Sequence, residues 1–329
     1  MSAEDAEALR DRLRAMADEE LLASATAGTP PTGFGATSTF SLGAGKVFVK
    51  RLPLTDIEAV HPYSTRNHFE LPTFYAYGVG SAGFGAWREL AALQAVSGVP
   101  GLPDHLHHRV MPRSSPPQSL PWSEEEYVQY WGGSQAVGRY LQARNSATQE
   151  LWIVLEHAGS RADLWLAENP EGLDDVLGQV FDAIAELQTR HIVHFDAHWG
   201  NVVTDGAHCR LVDFGLAMST DMELSQAERT FLSAHLHYDY GVVLGYLGLI
   251  LAFTLGEEPS IQMLRHHLDE LDALEGRCPS ALLGALDRYR HPTLYMVDFF
   301  ERIRQPDKHS IYNDEVLADL LLQCGVIAV

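Results

Sequence analysis

Residues 191–201 read HIVHFDAHWGN, which places three histidines, an aspartate and an asparagine in one short stretch. One interpretation is a metal site with His194, Asp196 and His198 as ligands. Alternating positions point to one side of the chain only in a strand, and Gly200 with its loop-forming neighbours argues against a strand here. The metal site is therefore the weaker interpretation.

The spacing of residues beyond this stretch supports a second interpretation. His194-x-Asp196 is followed by Asn201, and a D-F-G sequence begins at Asp213, twelve positions after the asparagine. H-x-D-x-x-x-x-N followed by D-F-G is the pattern of phosphoryl transfer in protein kinases. In that chemistry Asp196 accepts the proton of the attacking hydroxyl, and Asn201 and Asp213 hold Mg²⁺. A loop of solvated polar residues is the alternative.

The histidines of the stretch have separate roles in the second interpretation. His194 is expected to be structural and hydrogen-bonded toward the backbone of the D-F-G segment. His198 stands where protein kinases usually have lysine, and it is expected to contact the γ-phosphate. His191 lies at the end of a predicted helix, where a histidine is favourable for the helix dipole.

With these motifs the sequence resembles the eukaryotic-like protein kinase and aminoglycoside phosphotransferase superfamily over residues 28–255. The segments YGVGSAGFGAWREL, HFDAH and DFGLA resemble, more narrowly, a group of actinobacterial protein-kinase-like proteins. The resemblance implies an α+β, bilobal protein-kinase-like fold, with a β-rich N-lobe over residues 1–155 and an α-rich C-lobe over residues 156–329. It also implies ATP and Mg²⁺ as cofactors.

The resemblance further implies a strand lysine paired with a helix glutamate. The sequence has only three lysines, and Lys50 in VFVKRL is favoured over Lys46 because apolar residues precede it directly, as in the V-A-I-K pattern. A solubilising strand lysine is the alternative. Glu89 in AWRELAAL is the expected partner, which requires an inserted segment between the strand and the helix. A surface glutamate is the alternative for Glu89.

Two glycine-rich segments compete for the phosphates. GVGSAG, residues 78–83, satisfies G-x-G-x-x-G and has Asp104 about twenty residues later, as in a dinucleotide site. Prolines interrupt the strand that such a site needs before Asp104. TGFGATS lies upstream of Lys50 in the order that a kinase requires. Gly33 and Gly35 are therefore the predicted phosphate-binding glycines, and residues 78–85 are predicted to be a flexible lead into the Glu89 helix.

The segment IVLEHAGSRADLW, residues 153–165, resembles the kinase hinge. Backbone groups from Glu156 to Ala158 are expected to bind adenine. Asp163 is expected to begin the short helix that borders the ribose.

Several features depart from the protein kinase pattern. Phe195 replaces the arginine that pairs with a phosphorylated activation loop, which argues against that form of control. No A-P-E follows D-F-G, and only a short segment separates it from Asp239, on the helix expected to brace the catalytic loop. A short segment favours a small molecule or short peptide as acceptor over a folded protein. An insertion is predicted at residues 112–148, with a Pro/Ser-rich start and an acidic helical segment from Ser123 to about Arg144.

Charge and cysteine content limit the partners and the compartment. The net charge of −21 argues against nucleic acid and anionic membranes, and it suits a cationic or neutral acceptor. Acidity that serves only solubility is the alternative. Three widely spaced cysteines predict neither disulfides nor zinc and fit the cytoplasm.

The charged N-terminus, with Ser2 and Asp5 as a capping box, predicts an exposed helix, and residues 242–255 predict a buried core helix.

The sequence thus predicts an ATP-dependent phosphotransferase that moves the γ-phosphate to a hydroxyl of a small molecule or short peptide. A protein serine/threonine kinase is one alternative. A pseudokinase that binds nucleotide or serves as a scaffold is another. The joint presence of Lys50, Asp196, Asn201 and Asp213 argues against a pseudokinase.

Overall fold

The computed structural model describes residues 3–26, 36–43, 45–78, 80–116, 123–305, 308 and 312–328. Over these residues the chain is a mixed α+β protein, with an antiparallel sheet in its N-terminal part. The strands are β1 (Ala36–Leu42), β2 (Gly45–Leu54), β3 (His105–Pro112), β4 (Gln149–Glu156), β5 (Ser160–Arg161), β6 (Ile192–Val193), β7 (Val202–Thr204), β8 (Cys209–Leu211) and β9 (Met218–Ser219). The α-helices are α1 (Ala3–Ala15), α2 (Asp18–Thr26), α3 (Asp56–Val60), α4 (Ala86–Val96), α5 (Glu124–Tyr130), α6 (Gln135–Ser146), α7 (Ala162–Glu168), α8 (Leu173–Thr189), α9 (Gln226–Ser233), α10 (Tyr238–Leu255), α11 (Ile261–Asp269), α12 (Ser280–Arg288), α13 (Arg290–Ile303) and α14 (Asp314–Gln323).

The main sheet has the strand order β1-β2-β4-β3, with every neighbouring pair antiparallel. Strands β1 and β2 pair as a hairpin, and β2 lies between β1 and β4 in the sheet. Side chains of β2 alternate between the two faces, so Val47 and Val49 face one side while Phe48 and Lys50 face the other. The edge strand β3 was not predicted, because its HLHHRVMP sequence lacks a strict apolar alternation.

The outer face of this sheet is covered by the N-terminal helices. A separate apolar cluster joins Leu9, Leu13 and Leu21 of α1 and α2 to Val49 and Trp152 of the sheet. The prediction of an exposed N-terminal helix is therefore wrong, since one side of it is buried against the strands. The predicted capping residue Ser2 lies outside the described residues.

The inner face of the sheet belongs to the main core, which also includes α4, α8 and α10. The predicted core helix is present as α10. By length and composition it is apolar enough to cross a membrane, but 72% of it is buried inside the protein. We therefore assign α10 to the core of the fold.

The predicted insertion contains two helices where the sequence suggested one helical segment. Gly132 and Gly133 between α5 and α6 both have positive φ, of 67° and 74°, which ends the first helix. Helix α6 then returns toward β2 and the inner side of the sheet. Residues 117–122 of the insertion lie outside the described residues.

Candidate active site

Lys50 lies at the centre of a cluster of charged side chains on the inner face of the sheet. Its Nζ is 2.6 Å from Oε1 of Glu89 on α4 and 2.7 Å from Oδ1 of Asp213. The contact with Glu89 is a charge pair rather than an aligned hydrogen bond, whereas Lys50 donates a hydrogen bond to Asp213. The predicted ion pair is present, and the alternatives of a surface lysine and a surface glutamate are excluded because both residues are buried.

Burial and charge set the protonation of this cluster. Burial alone would lower the pKa of Lys50, but Asp213 and Glu89 outweigh it and raise that pKa. Burial raises the pKa of Glu89, and Lys50 offsets part of that rise. Burial would raise the pKa of Asp213 as well, yet Lys50 reverses the direction and lowers it. Lys50 therefore stays charged and keeps Asp213 ionised.

The loop that carries the H-x-D pattern is held by Asp239 at the start of α10. Its Oδ2 accepts the backbone N–H of His194 at 2.7 Å, and its Oδ1 accepts that of Phe195 at 2.8 Å. The expected bracing aspartate is thus in place. Burial raises the pKa of Asp239 to about 7, and the two amides offset only part of that effect.

Three non-glycine residues in and beside the two motifs have positive φ, a strained backbone conformation. Phe195 and Asp213 have φ of 63° and 69°, and His191 has φ of 53°. Non-glycine residues in this region cost about 1–3 kcal/mol each and persist only where surrounding contacts hold them. The Asp239 bonds supply such contacts next to Phe195.

His194 has the structural role that the sequence predicts. Its Nε2 is 3.1 Å from the carbonyl of Val212, directly before D-F-G, and its ring packs edge-on against Phe214. Burial lowers the pKa of His194 to about 4, so the ring is neutral and Nε2 donates to that carbonyl. This contact ties the two halves of the motif together.

Asp196 and Asn201 form the next part of the site. The Asn201 amide donates to the Asp196 carbonyl at 2.9 Å and to its Oδ2 at 3.0 Å, which leaves Oδ1 of Asn201 without a hydrogen bond to any described residue. The carbonyl of Asn201 accepts the N–H of Val212, so the Asn201 loop and the D-F-G segment are joined directly. Burial raises the pKa of Asp196, with His198 opposing that rise.

His198 points toward the same carboxylate. Its Nδ1 accepts the N–H of Gly200 at 3.0 Å, so a neutral ring carries its proton on Nε2, which lies 3.8 Å from Oδ1 of Asp196. The ring also stacks on Tyr246 of α10. His198 therefore directs an N–H toward Oδ1 of Asp196.

The metal site built from His194, Asp196 and His198 does not form. His194 faces Val212, whereas His198 faces Tyr246, so the two rings do not converge. Within the described ranges, no group of three or more histidine, cysteine or acidic side chains is arranged to hold a metal ion. A Mg²⁺ held by one asparagine, one aspartate and phosphate oxygens is a different kind of site.

One cavity of about 550 Å³ connects these residues. Six of the polar residues described above line it: Lys50, Glu89, Asp196, His198, Asn201 and Asp213. Thr37 of β1 also lines it. The predicted phosphate-binding glycines Gly33 and Gly35, just before β1, lie outside the described residues.

Residue 78 and residues 80–83 of the glycine-rich segment line the cavity, so the prediction of a mere lead into α4 is incomplete. A Cβ at Gly78 would lie 2.9 Å from Oδ1 of Asp196, and one at Gly83 would lie 2.7 Å from the carbonyl of Gly215. Both glycines also have positive φ, near 80°. Phe84 donates its N–H to the Gly215 carbonyl at 3.2 Å. Gly78 and Gly83 therefore lie against Asp196 and D-F-G, where side chains would not fit.

Two further contacts at the site were not predicted. Arg88, next to Glu89, forms an ion pair of 2.7 Å with Glu228 on α9, and both side chains are only 2% exposed. Arg144 of α6 lines the cavity and is 3% exposed, and among the described residues its side chain donates one hydrogen bond, to the Tyr140 hydroxyl. The first contact ties the Glu89 helix to the segment after D-F-G. The second brings the insertion into the site.

The predicted hinge residues lie between β4 and α7. The amide of Glu156 donates to the Asp104 carbonyl and that of His157 to the Lys46 carbonyl, so the Ala158 amide is the one without a hydrogen bond to the described chain. The Glu156 side chain pairs with Arg210 at 2.9 Å. Asp163 lies in the first turn of α7, as predicted, and pairs with Arg161.

No protein-family model matches this sequence, and no curated protein matches it either.

Proposed function

We propose that the chain is an ATP-dependent phosphotransferase with a bilobal protein-kinase-like fold, residues 1–155 forming the N-lobe and residues 156–329 the C-lobe. The observation that carries the proposal is the convergence of Lys50, Asp196, Asn201 and Asp213 in one cavity. Phosphoryl transfer needs a fixed cation, oxygen ligands for Mg²⁺ and a base near the acceptor hydroxyl. These four residues have the chemistry for those tasks.

The oxygen atoms left unpaired in the site fit Mg²⁺. Oδ2 of Asp213 and Oδ1 of Asn201 make no hydrogen bonds to the described residues, whereas Oδ1 of Asp213 accepts from Lys50. Hard oxygen donors of this kind are those that Mg²⁺ prefers. Bound there with ATP, Mg²⁺ would neutralise charge on the β- and γ-phosphates. Lys50 would contact the phosphates from the sheet side.

The transfer step uses Asp196 as the base. The acceptor hydroxyl gives its proton to the free oxygen of Asp196 while its own oxygen bonds to the γ-phosphorus. The bond from that phosphorus to the bridging oxygen breaks, and ADP leaves with the electron pair. The raised pKa of Asp196 would make it a better proton acceptor, and the N–H on Nε2 of His198, 3.8 Å from Oδ1 of Asp196, would donate to the transferred group.

The remaining nucleotide contacts follow from position in the chain. We assign adenine to the backbone between Glu156 and Ala158, the ribose to the neighbourhood of Asp163, and the phosphates to the segment with Gly33 and Gly35. The Ala158 amide, which has no hydrogen bond to the described residues, supports the adenine assignment, because backbone groups can recognise adenine.

The segment between β2 and α4 favours a small acceptor over a folded protein. Glu223, after D-F-G, accepts hydrogen bonds from Ser64 and Thr65, and the Tyr77 hydroxyl is 2.9 Å from Nε2 of His235. These contacts join that segment to the residues after D-F-G from within the chain, so less of the short segment after D-F-G is free to dock a folded protein. Cys209, Cys278 and Cys324 are all free thiols, which is consistent with our proposal of a cytoplasmic protein.

Thermal and chemical unfolding with and without Mg·ATP tests this proposal. Saturation at a hundred times Kd adds about 2.7 kcal/mol to the free energy of unfolding. We expect this gain for the wild type and for a control, Asp205→Asn, in an exposed turn. Asp213→Asn should lose most of it, because the proposed metal ligand is removed. Equal stabilisation of all three proteins would contradict the nucleotide site.

A further inference from the structure

The side of the cavity beyond Asp196 and His198 is a mostly apolar wall. Helix α10 contributes Val242, Tyr246 and Leu249, and the end of α13 contributes Phe300, Ile303 and the adjoining Arg304. The positions on α10 are spaced by four and three residues, so they lie on one face of that helix. Because Tyr246 stacks on the His198 ring, this wall begins at the catalytic loop itself.

The charges that line the cavity do not follow the net charge of −21. Among the described residues, the carboxylates of the lining are Glu89, Asp196 and Asp213, all of which serve the Lys50 cluster or the base. The apolar wall adds no carboxylate and one cation, Arg304. That arginine is exposed at the rim of the cavity and forms no ion pair with the part of the chain that the structure describes.

These features decide which acceptors fit the wall. A ring stacks well on Tyr246 and on the aliphatic side chains beside it, because aromatic and apolar surfaces lose contact with water there. A carboxylate or phosphate pairs with a guanidinium through two parallel hydrogen bonds. An ammonium group beside Arg304 meets repulsion and finds no unused carboxylate among the described residues of the lining, so a polycation is disfavoured.

We propose that the acceptor is a small ring-bearing hydroxyl compound with one anionic group, which binds along α10 and the end of α13 with its anion at Arg304. This inference rests on the proposed function. The hydroxyl faces Asp196, which takes its proton as the oxygen bonds to the γ-phosphorus and ADP departs. The acidic surface of the protein then serves solubility, and the acceptor is not an aminoglycoside-like polycation.

A matched series of probes tests the inference. The probes are 4-(hydroxymethyl)benzoate, neutral 4-(hydroxymethyl)benzamide, cationic 4-(hydroxymethyl)benzylamine and the polycation kanamycin. Binding is measured by ligand-observed NMR with Mg²⁺ and a non-hydrolysable ATP analogue, and transfer by ADP formation and product mass with ATP. We expect the benzoate to bind most tightly, by about tenfold over the amide, as a charge-assisted pair with Arg304 implies.

Two variants locate the anionic group. Arg304→Gln should remove the tenfold preference for the benzoate over the amide. Arg302→Gln is the matched control, because this neighbouring exposed arginine pairs with Asp298 and does not line the cavity. It should leave the preference unchanged.

The possible failures are distinguishable. Tighter binding of either cationic probe, or no binding of any probe by a protein that Mg·ATP stabilises, overturns the acceptor inference alone. A preference that survives Arg304→Gln also overturns it. A protein that Mg·ATP does not stabilise contradicts the proposed function itself.

Discussion

Replacing Asp239 by asparagine should separate the stability of the fold from the activity of the site. The buried carboxylate of Asp239 has a pKa of about 7 against an ordinary value of 3.8. That difference corresponds to roughly 4 kcal/mol of unfavourable free energy for the charged carboxylate in the folded protein above pH 7. Asparagine removes this cost. It also leaves one of the two amides, His194 or Phe195, facing an NH₂ group without an acceptor.

The two effects of Asp239→Asn oppose each other. An unpaired buried N–H costs about 1–3 kcal/mol, and the remaining bond weakens because its acceptor is neutral. We therefore expect the free energy of unfolding at pH 7.5 to change by less than about 2 kcal/mol. Phosphotransfer should nevertheless fall strongly, because the His194–Phe195 backbone that presents Asp196 loses one of its two bonds to residue 239.

The pH dependence gives the clearer readout for Asp239. Since the folded pKa lies above the unfolded one, the folded wild type binds the extra proton between about pH 4 and 7. This contribution to stability is full below pH 4 and is lost as the pH rises through 7. The variant lacks it. The difference in unfolding free energy, wild type minus variant, should thus increase by about 2 kcal/mol when the pH falls from 7 to 5.

Urea unfolding at pH 5, 6, 7 and 8 measures this difference directly. The control is Asp182→Asn, an exposed aspartate on α8, which should follow the wild type at every pH. A difference for Asp239→Asn that stays constant with pH, or that grows as the pH rises, would refute the reasoning.

Three further predictions concern the site. Lys50→Met leaves Glu89 buried without its counter-ion and should lower the free energy of unfolding by about 3–5 kcal/mol. The double variant with Glu89→Gln should recover at least half of that loss, and urea unfolding measures both. Asp196→Asn should keep Mg·ATP affinity within a few-fold in a binding titration but lose about two to four orders of magnitude in turnover; retained turnover would place the base elsewhere. Gly83→Ala should lower activity and stability more than Gly98→Ala. Both glycines have φ near 82°, but only at Gly83 would the new Cβ meet the carbonyl of the D-F-G glycine. Equal effects of the two substitutions in paired assays would exclude that contact.

The sequence alone determined the parts of the site whose residue types and spacing are local. The H-x-D and D-F-G motifs each occupy a few consecutive positions, and a short β-hairpin brings them together in the structure, with the His194 contact to Val212 as predicted. Lys50 was identifiable because the chain has so few lysines. Asp239 was identifiable because it precedes a long apolar run.

Only the tertiary structure decided which distant segments complete the site. Segment 78–83 has the spacing of a dinucleotide loop, yet it lies against Asp196. Arg144 and Glu228 have ordinary sequence surroundings, although both are buried, Arg144 in the cavity lining and Glu228 in an ion pair with the neighbour of Glu89. The N-terminal helices are rich in charge, yet one of their faces covers the sheet.

The physical reason is the difference between local and long-range interactions. Turn residues, apolar periodicity and motif spacing act over a few residues, so each leaves a readable pattern in the chain. Arg88 and Glu228 are far apart in the sequence. Their contact exists only because two packed helices bring the residues together. No local property of either residue predicts that contact. The two helices are brought together by the burial of the apolar faces around it.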